Sequence, residues 1–310
     1  MITQCLERHG IQRHDSAMDR PTSSARPLAV VYSPEMVASS EGYSPSAQKP
    51  AAVIADWVAH GLPMAVSPAV PATIDELALA HDRGFVEDVL AGRRSNGFGN
   101  RSAAVAASLP YTTGALLTAS RQVLRTPQLR AACAPCSGFH HAAYNEVAGF
   151  CTFNGLVVTA LTLLGEELAR RIAIIDCDQH YGDGTDEILG RGVQRGEIRH
   201  FTAGQTFSQP KEVPSFFGRL EREIAAVEGF DLVLYQAGAD PHVDDPLGGW
   251  MTDEQLRERD ARVFEGVAAL GVPLVWNLAG GYQRTADGGI GPVLAIHRRT
   301  ALEHLRVFCA

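Results

Sequence analysis

The segment Arg171-Ile172-Ala173-Ile174-Ile175-Asp176-Cys177-Asp178-Gln179-His180-Tyr181-Gly182-Asp183-Gly184 decides how the chain is read. It opens on an apolar, largely β-branched run, the pattern of a strand buried on both faces. Three acids and one imidazole follow between Asp176 and Asp183, closed by glycines that free the backbone to turn. Open α/β sheets collect their ligands at the carboxyl ends of strands, which is where this cluster falls. In extended backbone Asp178 and His180 point the same way. A carboxylate and an imidazole on one side of a strand end supply half of a divalent metal site. A solvated polar turn fits the same residues, so the rest of the chain has to decide.

Outward from this segment, strand patterns recur at 27–32, 129–133, 198–202, 232–235 and 272–277. Helical patterns lie at 51–60, 85–90, 114–124, 154–164, 217–227, 253–270 and 292–306, and Thr73 with Glu76 forms a capping box opening a helix through His81. The glycine-rich stretch 95–100 is expected at the rim of a site. Strand and helix alternate with connections long enough to cross over. The predicted fold is therefore a single α/β domain, three layers α/β/α around a central, mostly parallel sheet. Residues 1–26 are polar and aperiodic and are expected to form a disordered or loosely docked tail, leaving one domain over 27–310.

With 310 residues, 45% hydrophobic and 20% charged, the composition is that of a soluble globular enzyme. A net charge of -8 leaves no basic footprint for nucleic acid or an anionic membrane. No apolar run approaches the roughly 20 residues that span a bilayer, and no signal peptide is visible. Six scattered cysteines suit a reducing cytoplasm better than a disulfide scaffold.

Three further loops join the first. Gly238-Ala239-Asp240 follows the strand at 232–235 and places another acid at a strand end; alone, Asp240 is more often a cap or turn residue. With Asp178 and His180 it makes three protein ligands and an open position, the arrangement of a catalytic rather than structural zinc. The pair His140-His141 could be surface residues, metal ligands or two acid/base groups, and Asp176 and Asp183 are natural partners to fix their tautomers. Gly280-Gly281-Tyr282 follows the strand at 272–277, and its phenol can donate to a developing oxyanion.

Together, His140-His141-Ala142, Gly149-Phe150-Cys151, the loop from Asp176 to Gly184, Gly238-Ala239-Asp240 with Asp245-Pro246-Leu247-Gly248-Gly249, and Gly280-Gly281-Tyr282 resemble the histone deacetylase-like amidohydrolases of the arginase/deacetylase fold. Their order matches across about residues 28–307. The resemblance implies one Zn2+ per chain on Asp178, His180 and Asp240. It implies His140 as general base and His141 as general acid, oriented by Asp176 and Asp183, with Tyr282 polarising the carbonyl. Phe150 with Gly149 would line an acyl tunnel and Leu247 its rim. A structural K+ would sit on Asp176 and the backbone of Asp178 and His180, with Thr202 in its shell. The implied substrates are acylated lysine side chains or acylated polyamines and other small amines.

The chain departs from the family in three places. Cys136-Ser137-Gly138-Phe139 replaces Pro-Gly before the histidine pair, Tyr181 replaces a second histidine, and Ala203-Gly204-Gln205 replaces Leu-His after Thr202. Asp82 and Asn100 are poor counterparts of the rim aspartate of protein deacetylases. Cys133-x-x-Cys136 competes as a redox pair or second metal site. The rival functions are a catalytically weak acyl-lysine-binding homologue and a binuclear manganese ureohydrolase of the same fold. The expected location is cytoplasmic, with an oligomer left open.

Overall fold

The computed structural model describes residues 26–40, 42–192 and 196–310. In chain order the elements are β1 (Leu28–Val31), α1 (Lys49–Ala59), β2 (Met64–Ser67), α2 (Ile74–Leu77), α3 (Arg83–Leu90), α4 (Ala103–Arg125), β3 (Ala131–Cys133) and α5 (Gly155–Gly165). There follow β4 (Arg171–Asp176), α6 (Asp183–Gly190), β5 (Glu197–Thr202), α7 (Val213–Ala225), β6 (Leu232–Gln236), α8 (Asp253–Ala269), β7 (Leu274–Asn277) and α9 (Gly291–His304). The strands form one sheet in the order β2-β1-β3-β7-β6-β4-β5, every pairing parallel.

The central strands β4, β6 and β7 read as apolar runs because both of their faces are covered. Alternate residues go to opposite sides. Ala173, Ile175, Val233, Tyr235, Leu274 and Trp276 join one core, which contains Trp57 of α1, Phe216 and Leu220 of α7 and Phe264 of α8. Ile172, Ile174, Leu232, Leu234 and Val275 join the other, packed under Leu116 and Leu117 of α4 and Leu156 and Leu163 of α5. This is the three-layer α/β/α domain that the alternation predicts.

Local signals place several helix starts. Thr73 accepts from the Glu76 amide at 3.1 Å while Glu76 accepts from Thr73 N–H at 2.7 Å, the reciprocal capping box. Asn154 caps α5 through the Val157 amide at 3.2 Å.

The structure corrects other readings. Strand β2 is absent from the sequence reading because it is a four-residue edge strand with half-buried and exposed side chains, so it lacks an apolar run. Helix α4 starts at Ala103, capped by Ser102, and continues through Pro110, where the sequence argues for a break. Helix α6 begins at Asp183, inside what reads as a glycine turn. Of the expected tail, Arg26 is held by its N–H to the Cys309 carbonyl at 2.8 Å, and residues 1–25 lie outside the described residues. Among the described residues, no helix is long and apolar enough to cross a membrane.

Candidate active site

Strands β3, β7, β6 and β4 are consecutive neighbours at the centre of the parallel sheet, so their carboxyl ends share one edge. The loops leaving them carry His140-His141, Gly280–Tyr282, Gly238–Asp240 and Asp176–His180, in that order. Four stretches far apart in sequence are thereby brought to one place.

Ligand atoms of Asp178, His180 and Asp240 lie within 4.8 Å of one another. His180 Nδ1 sits 3.1 Å from both Asp178 Oδ1 and Asp240 Oδ2. Backbone amides fix the carboxylates. His180 N–H donates to Asp178 Oδ1 at 2.9 Å, Gly280 N–H to Asp178 Oδ2 at 2.8 Å, and Gln179 N–H to Asp240 Oδ1 at 3.2 Å. A Cβ on Gly280 would stand 2.1 Å from Asp240 Oδ2, so only glycine leaves room for that carboxylate. Both aspartates are buried. Burial, and then the Asp178 carboxylate, push the Asp240 carboxyl up to about 7. Hydrogen bonds to Asp178 and Asp240 push His180 up to about 11. Two buried carboxylates and an imidazole, with two oxygens and a nitrogen converging, fit a divalent cation.

The histidine pair has the expected partners. His140 Nδ1 lies 2.7 Å from Asp176 Oδ2, and His141 Nδ1 lies 2.7 Å from Asp183 Oδ1. Their environments differ. Burial works against charge on His140, but Asp176, Asp178 and Asp240 override it and raise the imidazole to about 9. His141 is lowered, by burial first and then by the charge of His140. Asp176 is held by the Asp178 amide and the Gln236 side chain at 3.0 and 3.1 Å. Thr202 is its register partner on β5 and accepts from the Gly182 amide at 3.0 Å.

Tyr282 is buried, and its N–H donates to Asp245 Oδ2 at 2.8 Å. Burial, then the Asp240 and Asp178 carboxylates, raise its phenol well above the usual range, so it stays a protonated donor. Phe150 packs between Tyr282 and Phe98, with ring centroids 5.7 and 6.1 Å away. Phe98 belongs to the 95–100 loop, which thus reaches the rim. Gly149 has φ +51°, and a Cβ there would meet His141 Cδ2 at 2.3 Å. Leu247 is exposed.

The altered segment Ser137-Gly138-Phe139 borders a small cavity of about 40 Å³ whose other walls include Phe150 and Cys151. Cys133 and Cys136 are free, wholly buried thiols in different cores, raised by burial, which suits neither a redox pair nor a metal site. Tyr181, in the place of the second histidine, donates to Asp186 Oδ2 at 2.6 Å.

Two site residues carry no expectation from sequence. Asp245 lies in a quoted motif without a role, yet it holds the Tyr282 amide. Lys49, one of two lysines in the chain, is buried and donates to the Ala279 carbonyl at 2.7 Å. Burial lowers it to about 8 against the pull of Asp240, Asp178 and Asp245. A lone lysine ahead of a helix carries no signal that its charge is turned inward.

The family model for the histone deacetylase domain matches residues 43–194. An uncharacterized protein of Picosynechococcus sp. is 33% identical over 222 residues, covering 61% of this chain and 71% of that protein. The chain belongs to the histone deacetylase family. Acetylpolyamine amidohydrolase 2 of Pseudomonas aeruginosa is 26% identical over 170 residues, spanning 46% of this chain but 48% of its own length. The crystal structure of the HDA15 HD domain superposes with TM-score 0.70 at 20% identity, covering 90% of this chain and 95% of that one, which establishes the histone deacetylase fold here.

Proposed function

We propose that the protein is a zinc-dependent amidohydrolase that removes an acyl group from an amine such as acyl-lysine or an acylpolyamine. The observation that carries this reading is the convergence of Asp178, His180 and Asp240 beside two His–Asp pairs and a buried tyrosine. Zn2+ bound by those three side chains would act as a Lewis acid on the amide carbonyl and bring the pKa of a coordinated water to about 7.

This chain's own residues supply the rest. His140, buried and clamped by Asp176 at 2.7 Å, is the general base of this reading and takes the proton of the attacking water. His141 is the general acid of this reading and delivers a proton to the leaving amine. Asp183 sets the His141 tautomer. The Tyr282 hydroxyl donates to the oxyanion as it forms. Phe150, with Gly149 giving it access, packs the apolar stem of the substrate, and Leu247 lies at the mouth. Asp176 and Thr202, with the backbone of Asp178 and His180, are the K+ shell of this reading.

Among the described residues, Asp178, His180 and Asp240 are the one such cluster of His, Cys, Asp and Glu, which favours one metal per chain over a binuclear ureohydrolase. The test is release of free acid by the zinc-loaded protein from an acetyl-lysine peptide and an N-acetylated polyamine, side by side. Turnover of either, abolished in Asp240→Asn, supports the reading and selects the substrate class. A protein with one metal bound and no turnover of either substrate or of longer acyl chains would refute it in favour of binding alone.

A further inference from the structure

A second cavity, polar and of about 390 Å³, lies between α6, the end of β5 and α7. Its wall contains His200, Thr206, Ser215, Arg219 and Arg222. His200 has a buried ring whose Nδ1 is 2.7 Å from Asp186 Oδ1, while its Nε2 is buried with no hydrogen-bond partner. Orphaned buried nitrogens are uncommon and call for an explanation. With Nδ1 committed to Asp186, Nε2 is the atom left to meet a ligand.

The charge on the wall is positive. Asp186 is its one carboxylate, and it already accepts from Tyr181 as well as pairing with His200. Arg219 and Arg222 are three apart on α7 and share a face. Arg219 is paired with Glu223 at 2.6 Å, whereas Arg222 is exposed at the cavity edge. Guanidinium groups, hydroxyls and an imidazole around one polar hollow match a tetrahedral oxyanion better than a cation or an apolar group.

We propose that this cavity is a binding site for a phosphate dianion, free or carried on a small metabolite, held by Arg222, Arg219, His200 and the hydroxyls of Thr206 and Ser215. The site backs directly onto the metal-binding loop. A Cβ on Gly182 would lie 3.2 Å from His200 Cε1 and 2.8 Å from Asp176 Oδ2, so one backbone turn separates the cavity from the Asp176–His140 pair.

The test is calorimetric titration of the zinc-loaded full chain with inorganic phosphate, and separately with glycerol 3-phosphate, at constant ionic strength in chloride. Binding of either is expected, weakened on the order of tenfold by Arg222→Gln, since one charge-assisted bond is lost. Asp240→Asn, which disables the metal centre, is expected to leave that binding intact. Phosphate should also move the His200 Nε2 nitrogen resonance, a readout independent of any change in fold. Absence of binding for both anions, equal affinity in Arg222→Gln, or loss of binding in Asp240→Asn would each overturn the proposal.

Discussion

His140 and His141 are chain neighbours with ring centroids 4.1 Å apart, and their surroundings drive their proton affinities in opposite directions. Three aspartates face His140, while His141 meets the one partner that is itself largely solvated, Asp183. A pair so close cannot both be charged without mutual repulsion, so in the metal-free protein the pair holds its proton on His140.

The first prediction separates the two roles. His140→Ala should lower kcat by about 10²–10⁴ and remove the acid limb of the pH–rate profile. His141→Ala should lower kcat while keeping that limb and losing the alkaline one. Steady-state rates between pH 5 and 9 distinguish the two; an acid limb that survives in His140→Ala would move the proton-accepting role to His141.

Tyr282→Phe should reduce kcat by about 10²–10³ with little change in KM, because the hydroxyl serves the developing oxyanion rather than substrate docking. A matched rise in KM would assign the residue to binding instead.

Stability of the metal-free protein should depend on pH through His140. Its folded value of about 9 lies above the unfolded reference of about 6.5. The contribution is therefore fully present below about 6.5 and is lost as pH rises through about 9. Thermal melts of the chelated protein should show this alkaline decline, and His140→Gln should flatten it.

Zinc should bind one per chain by elemental analysis and stabilise the fold by mass action, about 4 kcal/mol when free zinc exceeds Kd a thousandfold. Chelation should lower Tm accordingly, and Asp240→Asn should abolish the zinc-dependent part of the shift.

Gly280→Ala should cost about 10–100-fold in zinc affinity, since its methyl would occupy the space of the Asp240 carboxylate. A competitive chelator titration measures the change, and an unaltered affinity would mean that the loop moves aside.

The sequence made the central sheet legible because β4, β6 and β7 are buried on both faces and so read as continuous apolar runs. The ligand loops were legible for a related reason: acids and imidazoles directly after such runs have nowhere to go but the sheet's carboxyl edge. Strand β2 and the first half of α4 escaped because one lacks an apolar face and the other contains Pro110. Gly114 marks where the 70–72 segment crosses α4; a Cβ there would lie 2.0 Å from the Val70 carbonyl. That crossing is a tertiary fact with no local trace. Lys49 was invisible for the same reason, since its partner Ala279 is 230 positions away.

The four loops of the centre leave four strands that are neighbours in space yet spread over about half of the chain. No fragment ending before β7 contains Tyr282 or the Gly280 amide that holds Asp178. The cation site thus has its full set of supports only once the sheet is complete, and an ion that prefers the finished site selects whole molecules over partly folded ones. Metal capture would then act as a late proofreading step, marking chains whose last central strand has docked.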